Sequence, residues 1–257
     1  LKSALIGYTG FVGSNINHSH EFDDKYNSAN IGEIEGQTYD LVVSAANRAE
    51  MWRINKEPEK DLAEINKFID HIKKVNINKL VLISTVGVYD KPVGVDEHTS
   101  IDPDNLTPYG ANRFYLEEFC RKHFDTVIIR LPGLFGEGLK KNIIFDLLND
   151  NNLDNVHKDG QYQYYDLSNL WQDVEAILKS GEIIVNLVTP PVSTEEVARQ
   201  CFGIEYTNAP ADIKPAAWDV RTTKAAIFGS EGDYIMSKDE ELNKISHFVS
   251  QNKGSAN

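Results

Sequence analysis

"LKSALIGYTGFVGSNI" (residues 1–16) decides how this chain is read. A short apolar run, "SALIG" (3–7), leads into Gly7-Tyr8-Thr9-Gly10-Phe11-Val12-Gly13, and a helix-like stretch follows. A strand that ends in a tight turn and opens a helix sets free N–H groups against a phosphate. Glycine is needed where the backbone must turn sharply and approach a pyrophosphate closely. The same spacing also occurs in turns that bind nothing, so the reading rests on the surroundings.

The surroundings are repeated apolar runs with helical stretches between them. The runs are "SALIG", "DLVVSAA" (40–46), "KLVLIST" (79–85), "TVIIRL" (126–131) and "EIIVNLV" (182–188). Val and Ile in unbroken runs suit strands buried on both faces of a parallel sheet. Between them, 58–76 carries Leu62, Ile65, Phe68, Ile69 and Ile72 at helical spacing. Residues 109–124 do the same with Phe114, Leu116, Phe119 and Cys120. This alternation predicts a doubly wound α/β fold with a parallel, Rossmann-like sheet. Residues 21–40 have room for a short strand near "DKYNSAN" and one helical turn in "IGEIEGQT". From about 133 the alternation is lost, although 139–153 and 193–202 read as helices. The expected division is a dinucleotide-binding part over 1–132, with a strand near 182–188. The remainder, 133–257, is expected to be mostly a smaller C-terminal substrate lobe.

The 257 residues are 41% hydrophobic and 25% charged, an ordinary globular composition with enough chain for a sizeable core. A net charge of −13 repels nucleic acid and anionic membrane, so neither is an expected partner. An anionic small molecule stays compatible, because a pocket can be locally positive. Cys120 and Cys201 form no CxxC and no zinc spacing, which predicts reduced thiols, no metal site and a cytoplasmic home. No apolar run approaches the roughly 18 residues of a membrane span. The first strand begins almost at residue 1, so no leader segment is expected.

Two further stretches sharpen the picture. "VLISTVGVYD" (81–90) ends an apolar run with Ser84-Thr85, and "LTPYGANR" (106–113) follows with Tyr109. With the glycine loop, the "SAA" at 44–46 and "RLPGLFG" (130–136), the order resembles the extended short-chain dehydrogenase/reductase family over roughly residues 3–190. That family includes NAD-dependent sugar-nucleotide epimerases, dehydratases and reductases. The resemblance implies hydride transfer, with Tyr109 as acid/base and Thr85 positioning the substrate oxygen. A tyrosine does this near neutral pH when an adjacent cation lowers its pKa from about 10. In the family the cation is a lysine four residues on; here that place holds Arg113, giving YxxxR. Arginine keeps the charge, but its planar fork is not interchangeable with an ammonium. The plainer readings are Arg113 as a surface residue, Tyr109 as packing and Thr85 as a strand-end cap.

The departures narrow the chemistry. Val86-Gly87 stand where family dehydratases carry Asp-Glu, and Cys120 lies too far along its helix to be catalytic. Epimerisation through a keto intermediate, or keto reduction, remains. Gly133 replaces an asparagine that often holds a diphosphate, and Gln163 stands near a family arginine. Lys140 and Lys141 offer positive charge instead, or are solvated lysines. Trp171, Tyr164 and Tyr165 read as lobe packing, with a sugar site as the other reading. Asp219 and Arg221 read as a pair in that lobe.

The implied cofactor set is Gly7, Thr9, Gly10, Phe11, Val12 and Gly13 at the pyrophosphate, and Ala45 and Ala46 at its middle. Asn30 and Ile31 would meet adenine, and Pro132, Tyr109 and Arg113 the nicotinamide side. Asn27 or Ser28 stands near the ribose-binding acidic position, so NAD and NADP are not distinguished. The leading expectation is an NAD(P)-dependent epimerase or keto-reductase acting on a sugar or sugar nucleotide. A homodimer through 109–124 is implied by the resemblance. The alternative is a catalytically impaired NAD(P)-binding protein with a regulatory or scaffolding role.

Overall fold

The strands begin with β1 (Ser3–Ile6), β2 (Asp24–Tyr26), β3 (Thr38–Ser44) and β4 (Asn76–Thr85), of which all but the polar β2 carry apolar runs. After them come β5 (Val93–Val95), β6 (Thr126–Leu131), β7 (Gly133–Phe135), β8 (Gln161–Tyr162) and β9 (Tyr164–Asp166). The last are β10 (Ile184–Asn186), β11 (Val192–Ser193) and β12 (Asp219–Val220). The helices are α1 (Phe11–Ser19), α2 (Met51–Ile54), α3 (Pro58–Ile72) and α4 (Pro108–His123). They continue with α5 (Ile143–Asn149), α6 (Leu170–Ser180), α7 (Thr194–Val197) and α8 (Lys238–Asn252). This computed structural model describes residues 1–253; the closing 254–257 lie outside the described residues.

The chain groups into two units. The first comprises 1–91, 98–131 and 170–185. Its sheet has the order β10-β6-β4-β3-β1-β2, with β1 parallel to both β2 and β3. Further pairings of β3 with β4 and of β4 with β6 are parallel as well. The doubly wound parallel architecture is therefore as the apolar runs predict. The chain leaves β1 for β2 on one side and returns to β3 on the other. That reversal makes a switch point, where the carboxyl ends of neighbouring strands open a crevice. Residues 21–40 hold only β2 and a 3-10 turn at Ile31–Ile34, so one strand lies beyond β1.

Burial explains the continuous runs. Leu5, Val42, Val43, Leu80, Val81 and Ile128 are wholly enclosed. The apolar stripe of α3 (Ile65, Ile69, Ile72) and that of α4 (Leu116, Cys120) form one core with Ala4, Ile6, Val42, Leu80 and Leu82 of the sheet. Cys120 is a core residue; burial pushes its thiol up to about 12, so it stays protonated and inert.

The second unit comprises 92–97, 132–169 and, among the described residues, 186–253. Its short pairs are β7 with β9, β8 with β11, and β5 with β12. Its core gathers Phe135, Ile144, Leu147, Tyr164, Val197, Leu242 and Ile245. Two segments depart from the expected halves. Residues 92–97 join this unit because β5 pairs with β12, whereas α6 belongs with the sheet unit. Trp171 on α6 is therefore not lobe packing: its ring stacks on His20 of the sheet unit at 3.9 Å.

Several elements are shorter than their sequence signals. The helix expected over 139–153 spans only Ile143–Asn149. Asn142, at φ 117°, caps it by accepting from Phe145 N, and Asp150 ends it in the left-handed region. The stretch 193–202 is the single turn α7, opened by a Ser193/Glu196 capping box and running into a π-helical turn at Ala198–Phe202. The strand expected over 182–188 pairs only at Ile184–Asn186. Among the described residues no helix is long and apolar enough to cross a membrane.

Candidate active site

The glycine loop lies at the switch point and is shaped by contacts only glycine permits. Gly7 has φ 90°, and a Cβ there would sit 2.6 Å from the Ala45 carbonyl oxygen. A Cβ on Gly13 would sit 2.0 Å from the Gly7 oxygen, so α1 closes directly onto the turn. Gly10, the N-cap of α1, is exposed, and no side chain caps the helix there. First-turn N–H groups of Phe11, Val12 and Gly13 thus lie beside a bare backbone cradle at the positive end of the helix. Those features fit a pyrophosphate. Thr9 is exposed on the loop, Ala45 is half-buried and Ala46 is exposed beyond β3.

Beyond β2 the side chains are largely committed to their own loop. Asn30 Oδ1 accepts from Asn27 N at 2.7 Å, and its Nδ2 donates to the Lys25 carbonyl at 3.1 Å. Asn27 Oδ1 accepts from Ala29 N, and its Nδ2 donates to the Tyr8 hydroxyl. Asn30 therefore shapes the loop, and Ile31 packs partly into the core.

Tyr109 is placed by a chain of local signals. Thr107 caps α4 by accepting from Gly110 N, and Pro108 occupies the first turn. Asn55 Oδ1 takes the Tyr109 N–H at 2.9 Å, satisfying another first-turn donor. Gly110 lets the helix approach the turn after β4: a Cβ there would be 2.4 Å from the Gly87 oxygen. Thr85 and Tyr109 converge on Gly87. A Cβ built on Gly87 would lie 2.9 Å from Tyr109 Cε1 and 3.3 Å from Thr85 Oγ1. Thr85 Oγ1 accepts from Gly87 N at 3.0 Å, leaving its own proton to donate. Its cap role and a substrate-facing role are thus compatible.

Arg113 is not a surface residue; it is 2% exposed. The guanidinium carbon stands 4.9 Å from the Tyr109 ring centroid, as the four-residue spacing on one helix requires. Its charge is engaged elsewhere. Nη1 and Nη2 donate to the two Asp61 oxygens at 2.9 and 2.8 Å, and Nη2 also donates to the Arg48 carbonyl. Asn112 Nδ2 donates to the same Asp61 carboxylate at 2.8 Å. Arg113 is thus half of a buried ion pair with Asp61 while it lies against the Tyr109 ring. Asp61, Asn55 and Asn112 carry no sequence signal for this, because the first two lie about 50 residues away from α4.

A second buried network lies in the same unit. Glu117 accepts from Arg130 Nη2 at 2.6 Å, from Arg130 Nε at 3.1 Å and from the Ser84 hydroxyl at 2.5 Å. Arg130 Nη1 donates to the Tyr89 hydroxyl at 2.8 Å. Ser84 and Arg130 are register partners on β4 and β6, so the network fastens the strand end that carries Thr85.

In the second unit, Pro132 is half-buried and Gly133 exposed. A Cβ on Gly133 would meet the Gln163 backbone carbonyl oxygen at 2.7 Å, so a larger residue there would require the backbone to shift. Gln163 is buried; it donates to the Thr189 and Val220 carbonyls and accepts from Val220 N. It is a bolt within the unit and not a ligand-facing group. Tyr164 and Tyr165 are buried, and Asp219 pairs with Arg221 at 3.1 Å. Lys140 and Lys141 are exposed.

Residues 18–163, more than half of the chain, match the NAD dependent epimerase/dehydratase family. Among solved structures the chain is similar to a UDP-glucose 4-epimerase with UDP-glucose from Thermotoga maritima. The identity is 16% and the TM-score 0.69, over 98% of this chain and 99% of that one. It is similar to RMD from Pseudomonas aeruginosa complexed with NADPH, at 14% identity and TM-score 0.74 over the same shares. A dTDP-4-dehydrorhamnose reductase from Clostridium acetobutylicum gives 13% identity and TM-score 0.72, again over 98% and 99%. At such identities the likeness shows the fold. No curated protein matches the chain. With the glycine loop at the switch point and Tyr109 of α4 beside the turn after β4, the match leads to one assignment: the chain belongs to the NAD dependent epimerase/dehydratase family.

Proposed function

We propose that this protein is an NAD(P)-dependent epimerase or keto-reductase acting on a sugar or sugar nucleotide, with Tyr109 as acid/base. The cofactor class follows from the family, and the cradle of Gly7, Gly10 and Gly13 fits it. NAD(P), when bound, supplies the acceptor or donor of a hydride. The chain's own part is to move a proton on the substrate oxygen at the same step. The Tyr109 hydroxyl gives or takes that proton, and Thr85 Oγ1 donates a hydrogen bond that orients the oxygen. The observation that carries the reading is the convergence of Thr85 and Tyr109 on Gly87. The first unit would be the dinucleotide-binding part and the second the substrate lobe, in a cytoplasmic protein that pairs as a homodimer through α4.

The test is calorimetric titration of NAD⁺, NADH, NADP⁺ and NADPH, followed by turnover of keto-sugars and nucleoside diphosphate sugars. Binding of one redox pair, with turnover that Tyr109→Phe abolishes, is the expected result. Binding without turnover of any sugar would favour a binding-only protein, and no binding at millimolar cofactor would sink the reading.

A further inference from the structure

We propose that Asp61 is a positioning residue for Tyr109, acting through Arg113: it holds the guanidinium against the tyrosine ring and cancels its charge there. The inference rests on reading Tyr109 as the proton-transferring group. Arg113 has little freedom to move. Nη1 is bound to Asp61, Nη2 to Asp61 and the Arg48 carbonyl, and the centroid of the Tyr109 ring lies 4.9 Å from the guanidinium carbon. Asp61 is held in turn by Asn112, and the side chains of the pair are only 2% and 8% exposed. Water cannot screen the two charges separately in so enclosed a place, so Tyr109 meets a compensated pair and not a cation.

The other charged side chains that line the pocket beside Asp61 are paired among themselves, Lys60 with Glu57 included. Thr85 and Asn55 are uncharged. Arg48 is paired with Glu64 at 3.2 Å, and Arg53 with Glu50 at 3.2 Å, both half-exposed. Whether a tyrosinate at 109 sees net positive charge is thus decided by the Asp61 carboxylate. Arg113 Nε is buried without a partner, the one guanidinium nitrogen that the anchoring leaves unused.

The test is a spectrophotometric tyrosinate titration of the cofactor-free full chain. The Tyr109 contribution is isolated by subtracting a Tyr109→Phe version of each background. Asp61→Asn leaves the guanidinium uncompensated, and the Tyr109 midpoint should fall by about one pH unit or more. The double variant Asp61→Asn/Arg113→Gln has the same net charge as the parent pair. Its midpoint should stay within about half a unit of the parent. An unmoved midpoint in folded Asp61→Asn, or a rise beyond half a unit in the double variant, would overturn the proposal. A purely structural Asp61 would lower the melting temperature and leave the titration where it was. If Asp61→Asn does not fold, the charge-neutral double variant decides alone. The titration needs neither NAD(P) nor substrate, so failure of cofactor binding would end the functional reading without touching this result.

Discussion

Tyr109 shows how much of a site a few neighbouring residues can build. Thr107, Pro108 and Gly110 start α4 at a fixed place, and Gly87 brings the ring beside Thr85. The expected outcome of Tyr109→Phe is a fall in turnover of at least about 100-fold with cofactor affinity retained, read by steady-state kinetics beside calorimetry. Gly13→Ala tests the cradle at the same scale. Its Cβ would stand 2.0 Å from the Gly7 oxygen, so the loop must open. The variant should lose NAD(P) binding by at least about 10-fold, with far-UV circular dichroism unchanged. The helix start and the glycine loop were legible in the sequence because Thr107, Pro108 and the glycines act on neighbours within a turn or two, whereas the approach of Tyr109 to Gly87 is made by the fold. Asp61 was not legible: only folding brings α3 against α4, and an Asp in an amphipathic helix looks like any solvated carboxylate.

At the scale of elements, the strand end that carries Thr85 depends on a buried ion pair. Glu117 on α4 and Arg130 on β6 are 0% and 3% exposed, and Ser84 and Tyr89 complete their hydrogen bonds. Breaking such a pair from one side strands the other charge. Glu117→Gln should therefore destabilise the protein by about 3–5 kcal/mol, read as a lower urea midpoint at constant m-value. Replacing both partners by apolar residues should cost much less. A midpoint unchanged in Glu117→Gln would mean that water reaches this network. The sequence placed both residues on the correct elements but gave no sign that they meet, since a helix-face Glu and a strand-end Arg are ordinarily exposed.

At the scale of the whole molecule, pH acts through a carboxyl of the second unit. Glu241 of α8 is enclosed, with Oε1 accepting from Tyr164 N and the Thr189 hydroxyl. Burial pushes its pKa from 4.5 up to about 8. In the unfolded chain Glu241 ionises near 4.5, whereas the folded protein keeps the proton to about 8. Between those values the native state binds the extra proton, so this contribution to stability is full at the acid end and is lost as pH rises through the window. Glu241→Gln should flatten that dependence, recovering on the order of a few kcal/mol at pH 8, as followed by thermal unfolding across pH. An unaltered slope would show that Glu241 ionises normally. The sequence by itself determined the parallel α/β sheet, because unbroken Val/Ile runs and helical stripes state which faces must be buried. It also marked the turn at 7–13 and the strand end at Thr85, because glycines and apolar run ends are visible along the chain. Only the tertiary structure decided that Arg113 is tied to Asp61, that Gln163 bolts the second unit, and that Trp171 packs on the sheet unit. Those outcomes depend on which side chains meet across long separations, and burial and pairing are set by the completed fold.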